Sequence, residues 1–211
     1  GGQFMALVHL DAITMSLLLN FTGPMVAVLG LIFLKEPVSR LQWGGMAVFL
    51  IGVLVYFLPV TTFPKSVLGM GLALMTMVSN SIAAVMGRGV NREQRLDPMV
   101  VTGISMGIGA VVLLASGVVM QGFPPLELRV WLLLLLIGGF NTALAFWLWN
   151  RTQQTLTAME SSMINNSMLI QITLLAWIFL GESVSLIGVV GLVIAVVGLF
   201  LVNWQPAKRI A

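Results

Sequence analysis

The sequence has 211 residues, of which 59% are hydrophobic and only 8% are charged. A soluble domain carries about a quarter charged residues, so this composition excludes an ordinary soluble protein and indicates an integral membrane protein. The formal net charge is only +3 and the basic residues lie in short loops, which argues against nucleic-acid binding. The chain has no cysteine, which excludes disulfides and cysteine metal sites.

Seven stretches are long enough to cross a hydrocarbon core of about 30 Å, which takes about 20 residues of helix. None of them contains Asp, Glu, Lys, Arg or His, and they lie at residues 14–34, 43–60, 66–87, 99–120, 130–149, 161–180 and 184–204. Membrane-spanning strands would be about half as long and would alternate polar with apolar residues. The predicted fold class is therefore an all-α polytopic membrane protein with seven transmembrane helices. We interpret the residues before Asp11 as part of one further helix that begins ahead of Gly1.

Basic residues are divided unequally between the two sides of the predicted membrane. Eight of the ten Lys and Arg residues fall on one side, and only Lys65 and Arg129 fall on the other. Short cytoplasmic loops carry the excess of positive charge. We therefore expect a multi-pass protein of the cell membrane (cytoplasmic or inner membrane), with a cytoplasmic C-terminal tail at residues 205–211.

A polar octapeptide occurs twice. IFLKEPVS at 32–39 returns 146 residues later as IFLGESVS at 178–185, and the same offset aligns Asn20 with Asn166. It also aligns two glycines of the helix that follows, since Gly45 and Gly52 correspond to Gly191 and Gly198. Five helices separate the two copies, so the second copy is expected to be upside down, as in transporters built from inverted repeats. The change from lysine at 35 to glycine at 181 then follows the rule that positive charge stays inside.

These residues carry a resemblance to a known family. The runs LLLNFTGPMVAVLGLIFLKEPVSRLQWGGMAVFLIGVLVYF and SSMINNSMLIQITLLAWIFLGESVSLIGVVGLVIAVVGLFLV resemble the last two helices of each half of the EamA family, in the drug/metabolite transporter superfamily. The family motif is an Asn-x-x-x-Pro helix closed by a Leu-x-Glu hairpin and followed by a glycine-spaced helix. Asn20, Pro24 and Glu36 match it in the first copy, and Asn166 and Glu182 match it in the second.

The resemblance implies a ten-helix bundle of two inverted halves, of which this chain is an N-terminally truncated part. Residues 1–60 would be the end of the first repeat, and residues 66–204 would be the complete second repeat. Ile170 stands where the family commonly has proline, which leaves the sixth span without a proline kink and implies a different gating motion. The implied function is a secondary transporter that exports small polar or amphipathic metabolites, such as amino acids, by alternating access. The alternative is a membrane-embedded binding or assembly subunit that transports nothing itself.

Polar side chains within the spans are the candidates for substrate binding, because they must face protein, another polar group or a water-filled cavity. They are Asn20, Asn80, Asn141, Thr142, Asn166 and Gln171. The alternative role for these amides is interhelical hydrogen bonding without a substrate. On the sixth span, Ser162, Asn165, Asn166 and Thr173 share one arc of the helix, and Ser167 and Gln171 lie on the opposite side.

The spans contain no titratable group, so a neutral or zwitterionic substrate is favoured. Proton coupling would depend on His9, Asp11, Glu160 or helices beyond this chain, and the remaining modes are facilitated diffusion and exchange. The bland interpretation of the acids at the helix ends, Glu36, Glu160 and Glu182, is that they cap helix starts or lie in the headgroup region.

No enzyme signature, nucleotide-binding motif, cofactor motif or metal-ligand pattern is present, so we predict neither catalysis nor a cofactor or metal. The expected partners are the lipid bilayer and a small-molecule substrate. The fourth span carries a GxxxG pattern at Gly103 and Gly107, for which helix packing and a homodimer contact are both open interpretations.

Overall fold

The computed structural model describes residues 2–10, 12–58, 66–122, 127–181 and 185–204. In this part of the chain every regular element is a helix, and seven helices are long and apolar enough to cross a membrane. The prediction of an all-α polytopic membrane protein is therefore confirmed.

The helices correspond one to one to the predicted spans, preceded by one short helix before Asp11. In chain order they are α1 (Gly2–His9), α2 (Ala12–Asn20, Thr22–Leu29 and Gly30–Leu34), α3 (Arg40–Phe57), α4 (Val67–Arg92), α5 (Pro98–Gln121), α6 (Leu128–Leu135, Leu136–Ala143 and Leu144–Thr152), α7 (Ala158–Asn166, Met168–Leu175 and Ala176–Leu180) and α8 (Leu186–Asn203). The last segments of α2 and α7 and the middle segment of α6 are π-helical.

Helix α4 extends furthest beyond its predicted span, because it continues from residue 87 to Arg92. Its last turns are polar, but their side chains are bonded to protein. Asn91 Nδ2 donates to Gly87 O at 2.8 Å and to Asn150 Oδ1 at 2.7 Å, and Arg88 donates to Gln153 O at 2.5 Å. The span was predicted to end at residue 87 because the first charged residue follows it. The helix itself continues to the residue where its backbone hydrogen bonds end.

The described chain groups into two compact units. The first unit comprises Gly1–Met86 and Leu156–Ala211, and the second comprises Gly87–Thr155. The core of the first unit is apolar, and its innermost residues are Met46, Phe49, Val53, Met163, Ala195 and Val202. The predicted repeats at 1–60 and 66–204 are defined by sequence duplication, whereas these units are defined by packing. The division into repeats therefore stays a prediction.

Helices α3 and α8 of the first unit pack backbone to backbone. A Cβ atom added at Gly45 would lie 2.9 Å from Gly198 O, and one at Gly52 would lie 2.7 Å from Gly191 O. Residue numbers rise along one helix as they fall along the other, so the two helices run antiparallel. Only glycine permits this approach, since any side chain at these positions would meet the backbone of the neighbouring helix.

The segments α2–α3 and α7–α8 match each other element by element at the offset of 146 that relates Asn20 to Asn166. The π-helical segment Gly30–Leu34 has its counterpart in Ala176–Leu180, and Arg40–Phe57 has its counterpart in Leu186–Asn203. The residue that ends each π-helical segment is left-handed, with φ of 55° at Lys35 and 68° at Gly181. The repeated octapeptide therefore adopts the same backbone at both of these positions.

Serine begins the helix that follows each copy of the octapeptide. Ser39 Oγ accepts from Gln42 N at 3.2 Å, and Gln42 Oε1 accepts from Ser39 N at 2.9 Å, which completes a capping box. Ser185 Oγ accepts from Gly188 N at 3.1 Å. Each cap satisfies an amide that the first turn would otherwise leave without a partner.

Candidate functional site

Asn20 and Asn166 are the two predicted site residues that the structure brings into direct contact. Asn166 Nδ2 donates to the carbonyl oxygen of Asn20 at 3.0 Å, and both residues are buried. The Nδ2 atom of Asn20 donates instead to Ser16 O, four residues earlier in its own helix, at 2.8 Å. The side-chain amide of Asn166 and the backbone carbonyl of Asn20 thus join α2 to α7 where the two helices meet.

The other four candidates lie on more open surfaces. Asn80, Asn141 and Gln171 are exposed, and Thr142 is half-buried. Thr142 Oγ1 donates to Ile137 O at 3.0 Å, within the π-helical segment of α6. Gln171 Nε2 donates to Ser167 Oγ at 3.0 Å, four residues earlier in α7. Asn141 and Thr142 belong to the second unit, and Asn80 and Gln171 belong to the first.

Helix α7 separates its polar residues onto two sides, as predicted. Ser162, Asn166 and Thr173 are buried, whereas Gln171 is exposed. Asn165, which was placed on the same arc as the three buried residues, is exposed. The buried side of this helix also holds a hydrogen bond that sequence reasoning missed: Tyr56 OH lies 3.1 Å from Thr173 Oγ1 and joins α3 to α7.

The missing proline does not make α7 continuous. The helix is interrupted at Ser167, whose amide bonds back three residues to Ile164 O at 3.0 Å. Helix α2 is interrupted at the equivalent Phe21, whose amide bonds to Leu18 O at 3.1 Å, although only α2 carries a proline nearby, Pro24. The interruption at Ser167 is therefore not a proline kink, and the different gating motion expected from Ile170 stays a prediction.

The carboxylate of Glu36 caps the start of α7. Its Oε2 atom accepts from the amide of Ala158 at 2.9 Å, and the residue is buried. Glu160 completes a capping box with Thr157, which lies three residues earlier. Negative charge at a helix start is stabilised by the free amides and the helix dipole. The interpretation of these two acids as caps is confirmed, and Asp11 and Glu182 lie outside the described residues.

A small cavity lies beside Glu36, between the octapeptide and the start of α7. Its volume is about 10 Å³, and Pro37, Val38 and Thr157 are among the residues that line it. Ligand pockets usually hold about 300–1,000 Å³. This cavity is therefore too small for a metabolite.

The sequence profile of the EamA-like transporter family matches residues 67–204, which is more than half of the chain. The chain belongs to the EamA-like transporter family. None of the curated proteins searched matches it significantly. The matched region runs from the first residue of α4 to the residue after α8. It includes Asn80, Asn141, Thr142, Asn166 and Gln171, and membership places the chain among membrane transporters of the drug/metabolite superfamily.

Within the matched EamA region, the second unit contains a buried polar cluster that sequence reasoning did not single out. Asn150 Nδ2 donates to Thr102 Oγ1 at 2.9 Å, and its Oδ1 accepts from Asn91 at 2.7 Å. All three residues are buried, and they join the ends of α4 and α6 to the start of α5. Buried amides that satisfy one another in this way hold helices in one register.

The described residues contain no group of three or more His, Asp or Glu side chains placed to hold a metal ion. The glycines of the GxxxG pattern, Gly103 and Gly107, face open space, since nothing lies within 4 Å of a Cβ built at either position. Within the described residues, these two glycines therefore do not pack against another helix. A homodimer contact stays a prediction.

Proposed function

We propose that this EamA-family protein is a secondary transporter that exports a small polar or amphipathic metabolite, such as an amino acid, across the cytoplasmic or inner membrane by alternating access. The C-terminus is cytoplasmic in this proposal, as the distribution of Lys and Arg predicts. The observation that carries the proposal is the contact between α3 and α8, in which equivalent glycines of two copies of one motif meet.

The pattern of that contact supports an inverted repeat. Gly45 approaches Gly198, and the offset of 146 that joins Asn20 to Asn166 converts this pair into Gly191 and Gly52, which also approach each other. A set of contacts that maps onto itself when the copies are exchanged is what a two-fold axis between them produces. An axis of this kind lying in the membrane plane relates the halves of inverted-repeat transporters, whose substrates bind near the midplane.

The amides of the spans suit a neutral or zwitterionic substrate. Gln171 and Asn141 are exposed amides in the middle of α7 and α6, away from the charged helix ends. Each offers both a hydrogen-bond donor and an acceptor. We propose that these two residues, with Thr142 and Asn80, line the substrate cavity. Asn20 and Asn166 contribute to the same site by holding together α2 and α7, which border it.

Counterflow in proteoliposomes tests the proposal. Vesicles containing the purified protein are loaded with a mixture of amino acids and neutral metabolites, and uptake of labelled solute is measured. Wild-type protein should exchange at least one solute, and Gln171→Leu or Asn141→Leu should reduce that exchange at least tenfold in folded protein. Preloading one side at a time establishes the direction.

Asn203→Leu is the matched control for loss of an amide. Asn203 is exposed near the end of α8, and its Nδ2 donates only along its own helix, to Leu199 O at 2.8 Å. This variant should exchange solute like wild type. A folded wild-type protein that moves no solute from a broad panel would contradict the proposal and favour the non-transporting subunit.

A further inference from the structure

Two equivalent asparagines make unequal hydrogen bonds where α2 meets α7. Asn166 donates across the contact to Asn20 O at 3.0 Å. Asn20 does not return the bond to Asn166 O, but donates to Ser16 O within its own helix at 2.8 Å. Their exposed fractions are 8% and 7%, so neither amide can satisfy itself with bulk water. The symmetry of the glycine contacts between α3 and α8 is therefore broken at this point.

A steric difference accompanies the broken symmetry. A Cβ atom at Gly23 would lie 2.8 Å from Asn166 Nδ2 and 2.7 Å from Met163 Sδ, so glycine makes the room that the crossing amide occupies. The position equivalent to Gly23 in the second copy is Leu169, which packs against the hydrophobic core. Space for a crossing amide is therefore built on one side of the contact and filled by a side chain on the other.

We propose that Asn20 and Asn166 are positioning residues that exchange hydrogen bonds as the transporter alternates between its two facing states. In the opposite state, Asn20 donates to Asn166 O, and Asn166 turns back to Ser162 O, which is the equivalent of Ser16 O. This inference rests on the proposed function, because inverted repeats alternate by exchanging conformations. The pairing of Gly23 with Leu169 biases the protein toward the state in which Asn166 crosses.

The absence of cysteine allows the state of the protein to be read by labelling. Ala27 and Thr173 are equivalent positions toward opposite ends of the contact, and they are 1% and 7% exposed. Ala27→Cys and Thr173→Cys are introduced singly, and each protein in proteoliposomes is treated with a membrane-impermeant maleimide. The ratio of the two labelling rates reports which end opens more often.

The two asparagine variants should move this ratio in opposite directions. Asn166→Leu removes the crossing bond of the observed state, whereas Asn20→Leu removes the crossing bond of the opposite state. We expect a change of about fivefold in each case, which is the ratio to which one interhelical hydrogen bond of about 1 kcal/mol converts. Asn203→Leu, which loses an amide far from the contact, should leave the ratio unchanged. Shifts in the same direction, or a shift with Asn166→Leu alone, would overturn the inference.

A second pair of variants keeps the test decisive where an asparagine variant does not fold. Gly23→Ala should act like Asn166→Leu, because the added methyl displaces the crossing amide. Leu169→Ala should give the Asn20 amide room to cross, so it should favour the opposite state and shift the ratio in the same direction as Gly23→Ala. Solute counterflow measured on the same samples separates the two proposals. If solute is exchanged but neither pair of variants moves the ratio of labelling rates, the exchange of hydrogen bonds is refuted and the transport function stands. If folded wild-type protein exchanges no solute, the transport function on which the inference rests is refuted.

Discussion

Replacing Gly52 by alanine tests whether the contact between α3 and α8 depends on the absence of a side chain. The added methyl would lie 2.7 Å from Gly191 O and 2.8 Å from Ala195 Cα, and it would also press on Ala195 N. All three atoms belong to the backbone of α8, so no side-chain rotation can relieve the contact. The helices themselves must move apart.

The size of the effect follows from these distances. Non-bonded carbon atoms pack at about 3.5–4.0 Å, so the two helices must separate locally by about 1 Å. A gap of about 0.5–1 Å forfeits a quarter to a half of the dispersion attraction between the separated atoms. Overpacking of this kind costs about 1–3 kcal/mol. We therefore expect Gly52→Ala to lower the free energy of unfolding by that amount relative to a glycine-to-alanine change elsewhere in the same helix.

Gly44→Ala supplies that reference. Gly44 lies in α3 beside Gly45, is exposed, and has nothing within 4 Å of a Cβ built on it. Both variants gain the same helix propensity, up to about 1 kcal/mol, so the difference between them isolates the contact with α8. The assay is reversible unfolding in mixed detergent micelles, followed by circular dichroism. Equal unfolding free energies for the two variants would refute the reasoning.

Three further changes test local features. Glu36→Ala removes the buried cap on the amide of Ala158 and should cost about 1–3 kcal/mol in the same unfolding assay, whereas Glu36→Gln keeps an acceptor and should cost less. Lys35→Gly should stabilise the protein by about 0.5–1 kcal/mol, and Gly181→Ala should destabilise it by about 1 kcal/mol, because both positions are left-handed. Asn150→Leu should cost about 1–3 kcal/mol, since it removes the acceptor of one of the two hydrogen bonds that the buried Asn91 Nδ2 donates, and thermal melting of the purified variant measures it.

Composition and charge were sufficient to predict the helices, because a membrane span must be both long and free of charge. The repeat offset aligned Gly45 with Gly191 and Gly52 with Gly198, and these four glycines lie at the contact between α3 and α8. These features depend on short stretches of sequence. Each is decided by the chemistry of a few neighbouring residues, so a single sequence contains the information.

The partners of individual polar side chains could not be predicted in the same way. Glu36 caps a helix that begins 122 residues later in the chain. Among the consecutive polar residues of α4, Ser81 is fully buried and bonds to Met77 O at 2.8 Å, whereas its neighbour Asn80 is exposed. Which of two neighbours faces the core depends on how the helix is rotated against the others, and polarity alone carries no information about that rotation.

The two copies of the octapeptide show how charge and backbone conformation act on one position. The residue after each π-helical segment is left-handed, a conformation that glycine adopts freely and that costs a lysine about 1–2 kcal/mol. Gly181 therefore needs no further explanation, whereas Lys35 does. In the proposed orientation Lys35 lies at the cytoplasmic surface, where attraction of a positive charge to anionic lipids contributes about 1 kcal/mol. The two terms are of similar size, so lysine is tolerated on the inner side. On the outer side no such attraction offsets the strain, and glycine is the residue that the backbone favours.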